Sequence, residues 1–212
     1  MSELPSPVGP RDGDVTERIA NGLREKGYSI ILDALPPPIT EDLLKRIIEL
    51  EPGDFKPAGI GRQGALLVNP FVRRDHILWL DATHPADSAY LIWMETLRQG
   101  LNRRLFLGLF DYECHFAHYP PGAFYKRHLD AFKGDTNRVV TTVLYLNPGW
   151  TVADGGELRL YTLNGDEISP RILPVFGTLV VFLSADFPHA VAVANRHRYS
   201  VTGWFRVNTP MD

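Results

Sequence analysis

Apolar and polar positions along this chain change their period near residue 105. Before that point they follow helical spacing. Val15, Ile19 and Leu23 recur until Gly27, with Asp14 placed as N-cap and Glu17 as the third residue of a capping box. Residues 28–35 read as a strand that Pro36-Pro37-Pro38 breaks, after which Thr40 is expected to cap a second helix with Leu43, Leu44, Ile47 and Ile48 on one apolar face. A third helix is expected over about 85–102, with Tyr90, Leu91, Met94 and Leu97 inward. These helices read as a supporting layer. From Leu105 onward the period becomes two, in short runs expected as strands over 105–119, 123–130, 138–147, 157–163, 166–173, 176–184, 188–194 and 198–207. The breaks carry Pro120-Pro121-Gly122, Asn147-Pro148-Gly149, Gly155-Gly156, Asn164-Gly165 and Asn195. Short strands with turn signals this regular imply a double-sheet jelly roll, so the expected class is mainly β with α support.

Between the two regimes, 53–83 adds a pair of strands at about 64–69 and 76–80. Gly59-Ile60-Gly61-Arg62-Gln63-Gly64 is too rich in glycine for a strand interior and reads as a flexible finger. Residues 1–13, with several prolines and no periodicity, read as a mobile tail. The rest, 14–212, is expected to be one domain, with support over about 14–104 and a jelly-roll core over about 105–207.

Composition narrows the function classes. A net charge of −3 gives no general attraction to nucleic acid or anionic membrane. Arg103-Arg104, and Arg196 with Arg198, are too short and too mixed with acidic residues to form a nucleic-acid stripe. No run approaches the ~18 apolar residues that span a bilayer. The N-terminus lacks a signal-peptide pattern, so a cytoplasmic location is expected, with no membrane partner. Cys114 is the sole cysteine, which excludes an intrachain disulfide or a thiolate zinc site and leaves it as a small core or edge residue.

The chemistry concentrates late in the chain. His128-Leu129-Asp130 places an imidazole and a carboxylate at i and i+2, which on a strand project from one face. His189, at the start of a wholly apolar run, supplies a second imidazole from a neighbouring strand. Two histidines and one carboxylate with open positions remaining are the facial ligand set of non-haem Fe(II). Alone, an H-x-D pair is more often a surface or capping pair, and His189 reads equally as a hydrogen-bonded core histidine. Arg198 changes the weighing. It alternates with Ser200 and Thr202 on a polar face of an otherwise buried strand that folds back from His189 through the Asn195-Arg196-His197 turn. A buried guanidinium without an anion is costly, so a bound carboxylate explains it, and arginine matches that group with two parallel hydrogen bonds. His115-x-x-His118 sits at i and i+3 of a strand, on opposite faces, and reads as core or edge histidines; His76, His84 and His197 read as surface.

This pattern resembles the Fe(II)- and 2-oxoglutarate-dependent oxygenases, and within them the prolyl hydroxylases of the hypoxia-inducible-factor type. The similar stretches are His118-Tyr119-Pro120-Pro121-Gly122, Tyr125-Lys126-Arg127-His128-Leu129-Asp130, Leu144-Tyr145-Leu146-Asn147, Gly155-Gly156-Glu157-Leu158-Arg159 and Arg198-Tyr199-Ser200-Val201-Thr202-Gly203-Trp204-Phe205. Arg73-Arg74-Asp75-His76-Ile77-Leu78-Trp79 is similar to the family's stretch before its long helix. The likeness covers roughly 70–207. It implies a double-stranded β-helix, Fe(II) on His128, Asp130 and His189, and the distal carboxylate of 2-oxoglutarate on Arg198 and Tyr145, with Tyr119 and Thr202 lining its pocket. For Tyr119 and Tyr145 an ordinary aromatic core role stays open. O2 is the implied oxidant and ascorbate an implied accessory. Substrate contacts are expected at Arg62, Arg73, Asp75, Tyr125, Arg138 and Trp204.

What the resemblance implies is 4-hydroxylation of a prolyl residue in an extended segment of a protein, with succinate and CO2 as co-products and a role in oxygen sensing. In bacterial members the implied target is a translation factor such as elongation factor Tu. A monomer is expected. Three alternatives stand beside it: an oxygenase acting on another residue or a small molecule, a cupin-like metal enzyme without 2-oxoglutarate, and a non-catalytic module on the same fold. Some larger relatives carry an N-terminal zinc module, which is not expected here, and a C-terminal substrate-gripping helix, which is expected to be missing or minimal; this bears on the substrate more than on the chemistry.

Overall fold

The computed structural model describes residues 12–59, 69, 71–131 and 137–208. In order the elements are α1 (Asp12–Lys26), β1 (Tyr28–Ile31), α2 (Pro37–Glu49), β2 (Lys56–Pro57), β3 (His76–Trp79), α3 (Pro85–Leu105), β4 (Leu109–Tyr119), β5 (Tyr125–His128), β6 (Arg138–Tyr145), β7 (Leu158–Tyr161), β8 (Glu167–Ile172), β9 (Leu179–Leu183), β10 (His189–Val191) and β11 (Arg198–Val207). The strands form a seven-stranded sheet, β1-β9-β6-β11-β4-β3-β2, and a four-stranded sheet, β5-β10-β7-β8, with every named pairing antiparallel. This is the jelly roll that the turn spacing predicts.

The helices pack on one face of the larger sheet. Val15, Ile19 and Leu23 of α1, Leu43 and Ile47 of α2, and Tyr90, Met94, Leu97 and Leu101 of α3 join Phe116, Leu144, Val201 and Phe205 from the strands in one core. Each such burial contributes roughly 1.5–3 kcal/mol, enough in sum to fix the layer. On the other face Val143, Tyr145, Leu158, Leu160, Val180 and Phe182 fill the space between the sheets. At the β11–β4 contact Gly203 is required by space, since a Cβ there would meet the Tyr112 hydroxyl, which hydrogen-bonds Tyr90 and Thr142.

Several expected boundaries shift, each for a local reason. Asp14 lies inside the first turn of α1, and Thr40 is buried within α2, whose N-cap is Pro36; neither residue is the cap that the pattern suggests. β1 stops at Ile31 because Asp33 turns the chain with a left-handed φ of 48°. α3 continues through Leu105 to a left-handed cap at Phe106, so β4 starts only at Leu109. His84 is the N-cap of α3, its Nδ1 accepting from the Ala86 amide, where a plain surface histidine was expected. The expected strand at 64–69 and most of the Gly59–Gly64 finger fall outside the described residues, as does the tail up to residue 11.

Candidate functional site

The two sheets enclose a cavity of about 590 Å³, a size usual for a small-molecule site. Its described lining includes His128, Asp130 and His189, with Arg198 and Tyr119 paired toward one end and Thr202 further along β11, level with His115. Arg73, Asp75, Trp79, Tyr125, Arg138 and Trp204 line the remainder. Arg62 lies outside the described residues. Sequence positions far apart thus converge on one space.

The group of His128, Asp130 and His189 is built from two strands and a bend. His189 opens β10 and pairs with His128, the last residue of β5. Asp130 is not on that strand, as strand geometry over 123–130 had predicted, but in the bend that follows it. Its carboxylate is positioned from the sheet behind it: the Thr141 hydroxyl on β6 donates to Oδ2 at 2.9 Å, and Ser184 shares a 2.9 Å bond with Thr141. One ligand-capable atom from each of His128, Asp130 and His189 lies within 4.8 Å of the others, the sole such cluster among the described residues.

Backbone carbonyls set the tautomers. His128 Nδ1 is 2.8 Å from the Lys126 carbonyl, and His189 Nδ1 is 3.2 Å from the Phe187 carbonyl. A carbonyl only accepts, so both Nδ1 atoms carry the proton and both Nε2 lone pairs point to the space between the rings. The two Nε2 atoms lie 3.6 Å from Asp130 Oδ1 and Oδ2 respectively. Burial pushes the His189 imidazole down to about 4, with His128 adding to the shift, so it is neutral and ligand-competent near neutral pH. Burial alone would raise the Asp130 carboxyl, but His189, His128 and the nearby Trp204 indole outweigh it and hold it well below the usual range. The Trp204 N–H favours that ionised form from nearby without closing a hydrogen bond. Two imidazoles with inward Nε2 atoms and one carboxylate from one side fit a divalent metal with open positions, and non-haem Fe(II) by ligand type.

At one end Arg198 is 1% exposed, and no carboxylate among the described residues pairs with it. Its Nε donates to the Gly156 carbonyl at 2.9 Å. Gly156 itself has a φ of +67°, and a Cβ there would press the Arg198 side chain at 3.0 Å, so the glycine is needed for both shape and conformation. The guanidinium lies 4.9 Å and 5.0 Å from the Tyr119 and Tyr145 ring centroids. Tyr145 is fully buried and, among the described residues, its hydroxyl closes no hydrogen bond though Arg198 lies near it; the Ser200 hydroxyl likewise closes none. Burial pushes the Tyr145 phenol up to about 12 against the pull of Arg198, so it keeps its proton to donate. A buried cation with unpaired donors beside it calls for an anion that accepts several hydrogen bonds, such as a carboxylate. Tyr145 is not itself part of the cavity lining but sits behind Arg198; Tyr119 and Thr202 do line it.

The other expected contacts are already engaged. Arg73 grips Asp75 through two bonds, Nε to Oδ1 at 2.8 Å and Nη2 to Oδ2, and lies 4.3 Å over the Tyr125 ring, which stacks on His128 at 3.5 Å. Arg138 lies flat over Trp204 at 3.6 Å, its Nε and Nη2 donating to Glu113 at 3.0 and 2.8 Å. Arg206 holds Glu113 from the other side and grips Asp111 as well. Sequence reasoning missed Thr141, Ser184 and Glu113, and it read Gly156 only as a turn residue. For Glu113 and Thr141 a signal, alternation of inward polar residues on β4 and β6, was present but had no partner to give it meaning. His115 lines the cavity while His118 faces the helices, stacked on Tyr199 and 2.8 Å from His197, as their spacing predicts. His76 is half-buried near His118, and Cys114 is core.

Residues 114–206 match the 2OG-Fe(II) oxygenase superfamily. Among solved structures the chain is similar to a Pseudomonas putida prolyl-4-hydroxylase, at 41% identity and TM-score 0.82, covering 92% of this chain and 100% of the other. A Trichoplax adhaerens prolyl hydroxylase in complex with a hypoxia-inducible-factor oxygen degradation domain peptide is similar at 29% identity and TM-score 0.80, over 92% and 90% of the two chains. The hypoxia-inducible factor prolyl hydroxylase of Caenorhabditis elegans is 30% identical over 93% of this chain, which spans 29% of the length of that protein.

Proposed function

This chain belongs to the 2OG-Fe(II) oxygenase superfamily, and on that premise we propose that it hydroxylates a prolyl residue of a protein at C4. The observation that carries the reading is a single cavity with a metal-competent triad and, toward one end, an unpaired buried arginine. In this reading His128, Asp130 and His189 hold Fe(II), while Arg198 and Tyr145 take the distal carboxylate of 2-oxoglutarate, beside Tyr119 and Thr202. When bound, the iron supplies the oxidising power: O2 oxidises 2-oxoglutarate to succinate and CO2, and one oxygen atom enters the substrate C–H bond.

The chain's own groups do the remaining work. The Lys126 and Phe187 carbonyls keep the Nε2 lone pairs turned inward, and Thr141 keeps Asp130 aimed. Arg198 orients the co-substrate from its far end, and the Tyr125, Trp79 and Trp204 rings wall the remaining space against water. Support for a prolyl target comes from the likeness to prolyl hydroxylases, one of them solved with a peptide. The candidate target is elongation factor Tu, bound as an extended proline-containing segment, with ascorbate as accessory reductant.

The test is iron-dependent conversion of 2-oxoglutarate to succinate with purified elongation factor Tu, followed by peptide mass spectrometry. The expected result is a gain of one oxygen mass on a proline-containing peptide, lost in Asp130→Ala. Succinate formation with oxygen found only on another residue, or only on small molecules, would overturn the prolyl reading. Full turnover in Asp130→Ala would overturn the site.

A further inference from the structure

The established parts of the cavity leave one inward group without a task. His115 pairs with Thr202 across β4 and β11, whereas Tyr119 pairs with Arg198, so His115 stands toward the end of the cavity remote from that arginine. It is 4% exposed and held between two indoles, edge-on to Trp79 at 5.2 Å and tilted on Trp204 at 5.5 Å. Its Nδ1 lies 3.1 Å from the Phe116 carbonyl. Since that oxygen can only accept, the proton sits on Nδ1 and Nε2 carries a lone pair. No described protein group bonds Nε2. Burial holds the imidazole down at about 4, so it stays neutral and keeps that acceptor near neutral pH. The cations whose fields reach it, Arg73 and Arg138, are each closed on a carboxylate, Asp75 and Glu113.

We propose that His115 determines specificity: its Nε2 accepts one neutral N–H or O–H from the protein substrate beside the target proline. A ring clamped by two indoles cannot turn to find another partner, and a hydrogen-bond acceptor in an apolar wall penalises any ligand that leaves it unpaired. Where the donor is a backbone amide, proline is refused at that position because it has no N–H. The assignment names a substrate contact for the prolyl hydroxylase reading and rests on it for the identity of the ligand, though not for its measurement.

The test uses the zinc-loaded protein with 2-oxoglutarate bound and 15N-labelled histidine, the His115 signals being identified by their loss in His115→Met. Two small lactam probes are titrated, 2-pyrrolidinone, which donates an N–H, and N-methyl-2-pyrrolidinone, which cannot. His115 Nε2 is expected at the position of a proton-free nitrogen and to shift saturably with the first probe, at least about tenfold more tightly than with the second. In His115→Met the two probes bind alike. A proton on Nε2, equal response to both probes, or no response to the first overturns the proposal. None of these readouts needs turnover, so failure of prolyl hydroxylation and failure of the His115 contact are told apart.

Discussion

The Arg198 end of the cavity and its rim are both rich in charge, yet they differ in whether that charge is spent. At the rim, Arg138 is closed on Glu113, which Arg206 outside the cavity also holds together with Asp111, and Arg73 is closed on the buried Asp75. At the other end, among the described residues, Arg198 has no carboxylate and the Tyr145 and Ser200 hydroxyls close no hydrogen bond. Paired charges explain themselves within the protein and act as scaffolding. Unpaired buried donors cost free energy unless something else completes them, so they mark where a ligand belongs. Counting arginines would not have separated the two regions; counting satisfied hydrogen bonds does.

The comparison is tested most severely at Arg198. Arg198→Met should raise the KM for 2-oxoglutarate roughly a thousandfold, the loss of two charge-assisted bonds at about 2 kcal/mol each, with the metal still bound. A change under tenfold would remove the distinction between the two ends. The next effect belongs to His115. Its folded-state pKa of about 4 lies below the ordinary 6.5, so the unfolded chain binds the extra proton between those values. Stability is then complete above about pH 6.5 and falls as pH drops toward 4, by on the order of 3 kcal/mol. Chemical unfolding across that window should show wild-type stability falling relative to His115→Met as pH drops; parallel curves would contradict it.

A smaller effect is expected behind the metal-competent triad. Thr141→Val removes the bond to Asp130 and should weaken iron retention against a chelator about tenfold, the usual size for a group that orients a ligand. The smallest effect belongs to the rim. Glu113→Gln should cost under about 1 kcal/mol in thermal unfolding, because its ion pairs are partly solvated. If 2-oxoglutarate turnover fell more in Glu113→Gln than in Arg198→Met, the rim would be the functional end.

Much of this was legible in the chain. Period-two alternation with Gly, Pro and Asn at the breaks predicts the strands, because a side chain's face follows directly from its parity along a strand. His128 stood out by its i, i+2 spacing to Asp130, and His189 and Arg198 because each is a polar residue in an otherwise apolar or buried run, where burial without a partner is expensive. Asp130 was identified for a reason that did not hold. It reaches the triad from a bend, and Thr141, distant in sequence, aims it. Helix caps were read less well, since Asp14 and Thr40 match a local pattern whose position the tertiary packing moved.

The sequence by itself determined the strand-and-turn rhythm, the three amphipathic helices and the identities of the metal-competent residues. These follow from local periodicity and from residue chemistry, both of which are written along one dimension. Only the tertiary structure decided which charges are spent and which remain open, which nitrogen of each histidine faces the cavity, and that Gly156 must be small to admit Arg198. Those properties depend on atoms brought together from strands far apart in the chain, and a hydrogen bond is satisfied or orphaned only once both partners have a place.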